Sequence, residues 1–424
     1  MECSTILAEM QVSSEAEGVT AESLYEALKC VKDQRSRRGK QYSAAVVLTL
    51  LVLAKLAGQV NLKGIAEWVK WHAATLTEQL PLYRGKVPCA NTYRYVSDHI
   101  DVAELNRVLG EYFAALTSKP TPTVLPTEAA VGEVAPPAGQ RTHLAFDGKS
   151  MRGTRRGGEA SKAAVHTVGL YNVTASFMWK QQAVEGKGQE RKAAMQLIEP
   201  LKFNGSVVSA DALHTQPKWA QAVLDRGGDY LLIAKRNQPE LRDAIACTFS
   251  QPPRPHLFPE GEARTVDKAH GRLEIRHLRV SSELSEYLAP RWPQVAQVFQ
   301  IERTITRHGK TTHELVYGLT SLTAQEAPPQ QLLALVRQHW HIENRAQRAP
   351  DWRRDVTLGE DACRVNVGQV PQVLAALNNC VLAIVDFLQY PNLAAATRFF
   401  SARPQTALDL LLLPLSRFDS TLFV

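Results

Sequence analysis

A chain of 424 residues, 45% hydrophobic and 21% charged, has room for two or three domains and a sizeable core, with the balance of an ordinary soluble protein. Its net charge of +7 and pI near 9.0 favour a polyanionic partner, nucleic acid or a membrane surface. The longest apolar run, Ala44 to Ala54, is interrupted by Thr49 and ended by Lys55, well short of the ~20 residues a membrane span needs, so a membrane protein is not expected.

In chain order, the opening MECSTILAEMQVSSEAEG carries no basic segment followed by a long apolar one, so no signal peptide is read there and a cytoplasmic location is expected. Cys3, Cys30, Cys89, Cys247, Cys363 and Cys380 show no C-x-x-C or zinc spacing and are expected to be free, mostly buried thiols. From residue 20 to 117, AESLYEALKCVKD, the apolar run, LKGIAEWVKWHAATL and VAELNRVLGEYFAAL repeat apolar positions at three and four, which predicts helices. Between the first two lies KDQRSRRGK, with Lys32, Arg35, Arg37, Arg38 and Lys40, readable as a solvated loop or as a contact to a phosphate backbone. NTYRYVSDHID either opens a small DNA-reading helix or gives Tyr93 and Tyr95 to the core. Residues 118 to 140, with five prolines and no apolar period, read as a linker.

Beyond the linker, strand-like and helix-like runs alternate, predicting an α/β core. LAFDGKSMRG ends its Gly148-Lys149-Ser150 like a phosphate-cradling loop, but such a loop needs a glycine five residues before Gly148, and His143 stands there. The stretch from His143 to Phe146 reads instead as a buried strand with Asp147 at its carboxyl end, where open α/β sheets place their chemistry. A second apolar run, SVVSA, leads into Asp211. Side by side in one sheet, the two carboxylates could share a divalent metal, and their oxygen ligands suit Mg²⁺ or Mn²⁺. Each could equally be a helix cap. Between residues 250 and 320 the chain reads as short strands. In PPQQLLALVRQHWHIEN, Leu332, Val336, Trp340 and Glu343 fall on one side of a helix. A carboxylate on that apolar stripe must pair with a cation, such as Arg337 or Arg345, or bind metal. Asp351, Asp355, Glu360 and Asp361 follow closely, so spacing alone does not choose a third ligand.

Six ordered blocks, LAFDGKSMRGT, SADALHTQ, YLLIAKRNQPEL, HGRLEIRHLRV, HWHIEN and RDVTLGEDACRV, together with RSRRGKQYSAAVVLTLLVLAKLAGQVNLKGIAEW, resemble the DDE transposases of bacterial insertion sequences of the ISAs type, a group that includes the H-repeat-associated proteins. The resemblance spans residues 20 to 415. It implies an all-helical amino-terminal domain (1–117) for DNA or transposase association, the linker (118–140), and a ribonuclease-H-like catalytic domain (141–424) with a mainly β insertion over about 235 to 325. Asp147, Asp211 and Glu343 fall on the family's three metal-holding acids, implying Mg²⁺, for which Mn²⁺ can substitute. The implied activity is DNA strand cleavage and strand transfer at the element's ends. Its implied partners are double-stranded DNA, both terminal inverted repeats and target, and a second copy of the chain on paired ends, in the cytoplasm at the nucleoid. Lys149, Arg152, Lys235 and Arg236, with Arg37 and Arg38, become phosphate contacts or remain ordinary surface charges. After Glu343, NRAQRAPDWRRDVTLGED is a few residues longer than similar proteins and lacks their Leu-His-aromatic piece, and Pro350 interrupts a continuing helix. That departure keeps open an alternative, a catalytically inactive DNA-binding relative.

Overall fold

In the computed structural model, the residues described are 23–117 (except 37 and 39), 141–155, 164–184, 188–250, 260–343 (except 270) and 353–418, with the side chains at 269 and 341–343 set apart. Side-chain caps start the first helices. Ser23 accepts the Glu26 N–H to open α1 (Leu24–Lys29), Ser43 accepts the Val46 N–H to open α2 (Ala44–Leu56), and Asn61 accepts the Gly64 N–H to open α3 (Leu62–Trp71). Then come α4 (Ala73–Gln79), α5 (Ala90–Asp98) and α6 (Val102–Thr117). Every residue of α2 is buried, Lys55 included, so this helix must be packed on all sides.

The second layer is one nine-stranded sheet in the order β3-β2-β1-β4-β5-β9-β8-β7-β6. β1 (Thr142–Met151), β2 (Val165–Asn172) and β3 (Phe177–Val184) form an antiparallel meander, and β4 (Ser206–Ala210) and β5 (Asp229–Ala234) run parallel to β1. This five-strand unit is the ribonuclease-H-like arrangement, as expected. β6 (Glu260–Ala269), β7 (Arg272–Ser281), β8 (Gln297–Arg307) and β9 (Lys310–Thr320) extend it antiparallel from β5, and are the expected β insertion.

Because side chains alternate along a strand, the sheet has two distinct faces. Leu144, Phe146, Val208, Ala210 and Leu232 pack against α7 (Glu190–Ile198), α8 (Pro217–Leu224) and α9 (Pro239–Ser250). After the short α10 (Ser285–Leu288), α11 (Pro329–Glu343) covers the opposite face, with Leu332, Leu333 and Val336 against Val207, Leu231, Ile233 and Ile301. Asp147 and Asp211 belong to that second face.

The chain ends in α12 (Val370–Phe387), α13 (Leu393–Ala402) and α14 (Pro404–Leu412). These do not build a core of their own. A single hydrophobic cluster joins Leu24, Val46, Leu50 and Phe113 to Val373, Leu377, Phe400 and Leu411, so the two ends of the chain share one helical body. By length and composition α12 could cross a bilayer, but 83% of it is buried inside this body. Lys55 of α2 is drawn into the same contact, donating to Asn378 Oδ1 at 2.7 Å.

Candidate active site

β1 and β4 are paired up to Phe146 and Ala210, and the residue that follows each is an aspartate. Asp147 and Asp211 therefore stand at adjacent positions of neighbouring parallel strands, whose spacing is about 4.8 Å. β1 does not end at Asp147 as expected from its apolar run. It continues to Met151 paired with β2 alone, Asp147 opposite Gly169 and Met151 opposite Val165. The reason is that β2 goes on supplying backbone partners after β4 has turned away at Asp211. Gly148, Lys149 and Ser150 are thus strand residues, and the phosphate-loop reading is excluded. Asp147 Oδ1 accepts the Gly148 N–H at 2.7 Å. Asp211 is also the cap of the one-turn helix Ala212–His214, accepting the Leu213 N–H at 3.0 Å. Capping and placement beside Asp147 are here one arrangement.

α11 is pinned above this pair by a polar contact inside an apolar layer. Ser209, two residues before Asp211 on the same face, has its Oγ 2.7 Å from His143 Nε2 and 2.9 Å from His339 Nδ1. His143 Nδ1 lies 3.0 Å from Gln338 Oε1. Burial pushes His143 down to about 4 and His339 down to about 3, so both rings are neutral near pH 7. Sequence reading missed this trio, although His143 and Ser209 occupy same-face positions of apolar strands. Glu343 is the last residue of α11, four beyond His339, hence on the same helical face and about 6 Å further along the axis. Its side chain, and residues 344–352 with Pro350 and Asp351, lie outside the described residues. The expected stripe is otherwise present: Leu332 and Val336 are buried, and the Arg303 guanidinium lies over the Trp340 ring.

The other acids of the carboxyl-terminal block have particular partners. Arg353–Thr357 form a single π-helical turn. Arg353 binds Asp386 of α12 at 2.8 and 2.9 Å, Arg354 donates to Asn379 at 2.9 Å, and Asp355 accepts Lys149 Nζ on both oxygens at 2.8 and 2.9 Å. Glu360 is buried and accepts Asn378 Nδ2 at 2.8 Å; Asp361 Oδ1 accepts the Arg152 N–H at 3.1 Å. Asp147, Lys149 and Arg354 line one cleft, with Thr167, Tyr171 and Gln181.

The remaining expected cations divide. The Arg152 side chain is exposed, and Lys235 and Arg236 are exposed just past β5, at the sheet end that carries Asp211. Arg38 is exposed and Arg37 lies outside the described residues. In the same loop Arg35 is buried, donating to Asp33 and to the Tyr42 carbonyl, while Lys40 pairs with Asp33 at 3.1 Å. Part of that basic cluster is therefore internal. Tyr93 is core and Tyr95 is exposed. The expectation of mostly buried thiols is corrected: Cys30, Cys89 and Cys247 are exposed and Cys380 is buried, because the first three sit on polar faces or helix ends that the apolar pattern does not cover.

Behind Gly148, on the opposite face, sits a second polar group that spacing did not suggest. His166 Nδ1 is 2.8 Å from Ser150 Oγ, and Glu190 lies 3.2 Å from His166 Nε2 and 3.7 Å from His214 Nε2. The neighbouring His166 and His214 rings hold the Glu190 carboxyl down at about 2. A Cβ at position 148 would collide with Glu190 Oε1.

The strand order and the adjacent aspartates on β1 and just after β4 define a ribonuclease-H-like α/β protein. A profile described as "Transposase DDE domain" matches residues 138–361, more than half the chain, and "DDE_Tnp_1-associated" matches 25–113. The chain belongs to the DDE transposase family. It is 24% identical over 377 residues to the "H repeat-associated putative transposase YhhI" of Escherichia coli (strain K12), covering 85% of this chain and 90% of that one. It is 26% identical over 293 residues to the "Uncharacterized protein in dhlA 3'region" of Xanthobacter autotrophicus, covering 69% and 91%. Among solved structures, a piggyBac transposase synaptic complex with hairpin DNA aligns over 93% of this chain and 80% of that one, at 9% identity and a TM-score of 0.43.

Proposed function

We propose that this chain cuts DNA strands at the ends of its own insertion sequence and joins them to target DNA, with Asp147, Asp211 and Glu343 as the acids that hold Mg²⁺, or Mn²⁺ in its place. The adjacency of Asp147 and Asp211 on one face of parallel strands carries the reading. Oxygen-only donors, with the Asp147 and Asp211 carboxylates half-buried, fit such ions. When bound, they supply activation of the attacking hydroxyl and stabilisation of the leaving 3′-oxygen. The chain's own residues orient the substrate. Lys149, Arg152, Lys235 and Arg236 meet its phosphates at the sheet end that carries the acids, with Arg37 and Arg38 as contacts from the helical body. The histidine-serine pin sets α11, and so the backbone of Glu343, over β4. Two copies on paired ends are the working form, in the cytoplasm at the nucleoid.

The test is a labelled duplex carrying the element's end, incubated with Mg²⁺ or EDTA and with wild type, Asp147→Asn or Asp211→Asn. Metal-dependent cuts at the boundary, lost by a factor of ~10³ or more in either variant with DNA binding kept, are expected. Equal cutting by wild type and Asp211→Asn sinks the proposal. Binding without cutting by the wild type leaves the inactive DNA-binding relative.

A further inference from the structure

The four strands beyond β5 carry cations that neither the acid pair nor the core uses. Arg272 of β7, Arg307 of β8 and Lys310 of β9 stand directly opposite one another across three strands, and all three are exposed. A second cross-strand pair, Arg276 with Arg303, lies nearer α11 on the same face. Beneath them Glu274, only 1% exposed, is paired with Arg272 at 2.8 Å, Arg276 at 2.6 Å and Arg303. Asp267 takes Arg276 and also Arg337 of α11 at 3.1 Å, and Glu314 takes Arg303 at 3.3 Å. Four cations, Arg272, Arg276, Arg303 and Arg337, thus share three carboxylates, and Arg307 and Lys310 add two more positive charges to the same face. Like charges directly opposite in a sheet are destabilising, yet the register cannot slip to relieve them, because the two-residue turn His308-Gly309 has both residues at positive φ, 50° and 73°.

The direction of these strands gives the cluster its meaning. β9 pairs Tyr317 with Ala234, the last residue of β5, and then continues to Lys310. Those further residues carry it roughly 24 Å past the end of β5. That end of the sheet is where Asp211, Lys235 and Arg236 stand, and the array faces the same side as Asp147 and Asp211. The projection is less than one turn of B-form duplex, about 34 Å.

We infer that the β6–β9 arm grips the phosphate backbone of double-stranded DNA within one helical turn of the acid pair, through Arg272, Arg307 and Lys310 aligned by the strand register, with Arg272 anchored by Glu274. This rests on the DNA-cutting reading. Its test measures binding of a fluorescein-labelled duplex of random sequence, three helical turns long, by anisotropy over a range of KCl concentrations. The arm variant is Arg272→Gln/Arg307→Gln/Lys310→Gln. The control, Arg191→Gln/Lys192→Gln/Lys202→Gln, removes the same charge from exposed positions on the other side of the sheet. Each released phosphate contact lowers the slope of log affinity against log salt by about 0.9. The arm variant is expected to lose roughly 2 to 3 from that slope while the control matches wild type. Should the triple variant fail to fold, Lys310→Gln alone, at the turn, is expected to lose about 1. Equal slopes for arm variant and control overturn the inference, as does a wild type that does not bind. End cleavage measured in parallel separates the two readings. A lowered slope without cleavage by wild type removes the cutting reading and keeps this one, and cleavage with an unchanged slope does the reverse.

Discussion

Lys149 Nζ lies between the two carboxylate oxygens of Asp355, at 2.8 and 2.9 Å, across 206 positions of sequence. The contact brings the carboxyl-terminal RRDVT turn to the strand that carries Asp147, two residues from it. Arg353 and Arg354 fix the same turn to α12 through Asp386 and Asn379, so the helical body and the acid-bearing strand are mechanically joined at this point.

Asp355 is therefore a positioning residue for Lys149. Asp355→Asn is expected to slow end cleavage roughly 10- to 100-fold, the scale set by a misplacement of about 1 Å, with DNA binding little changed. Combining it with Lys149→Ala should add almost nothing to Lys149→Ala alone. Full additivity in that cycle would falsify the assignment.

The buried histidines make the fold acid-sensitive. In the unfolded chain both titrate near 6.5, whereas in the fold burial holds His143 at about 4 and His339 at about 3. As pH falls from 6.5 the unfolded chain takes up protons that the folded one refuses. Stability is complete above 6.5 and is lost progressively down to about 4 and then 3. His339→Gln, which can still reach Ser209, should flatten this loss by several kcal/mol, on the order of 4 to 5, read from denaturant unfolding across the range. An unchanged pH profile in the variant would remove His339 from the account.

Gly148→Ala should destabilise the protein by about 1–3 kcal/mol, because the new Cβ meets Glu190 Oε1 and comes within 3.0 Å of His166 Nε2. Introducing Glu190→Ala into that variant should restore part of the loss. If thermal unfolding shows Gly148→Ala to be neutral by itself, the close approach is not as described.

Lys55 reverses the usual alkaline behaviour. Burial pushes it down to about 8 from 10.5, so between those values the unfolded chain binds more protons than the folded one, and stability rises with pH. Relative to Lys55→Met, the wild-type unfolding midpoint should climb through that window. Parallel curves for the two proteins would mean that Lys55 reaches solvent when charged.

Local pattern was enough for several features. The all-buried α2 was legible as an apolar run, and Asp147 and Asp211 as carboxylates that directly follow apolar strand residues; the linker read over residues 118–140 lies outside the described residues. The paired registers of β1 and β4 make the two aspartates neighbours. What spacing could not reach was the choice among the acids after Glu343, since Asp355, Glu360 and Asp361 differ in their partners, Lys149, Asn378 and the Arg152 N–H, and not in their sequence surroundings.

By itself the sequence determined the amino-terminal helices, the α/β class and the apolar runs that lead into Asp147 and Asp211, because helical and strand periodicity are properties of adjacent residues. Tertiary structure alone decided that the carboxyl-terminal helices complete the amino-terminal core, that β1 runs on past Asp147, and that an arginine array projects beyond the acid pair. Each of these depends on contacts between residues far apart in the chain, whose register and burial are set by packing that no local spacing encodes.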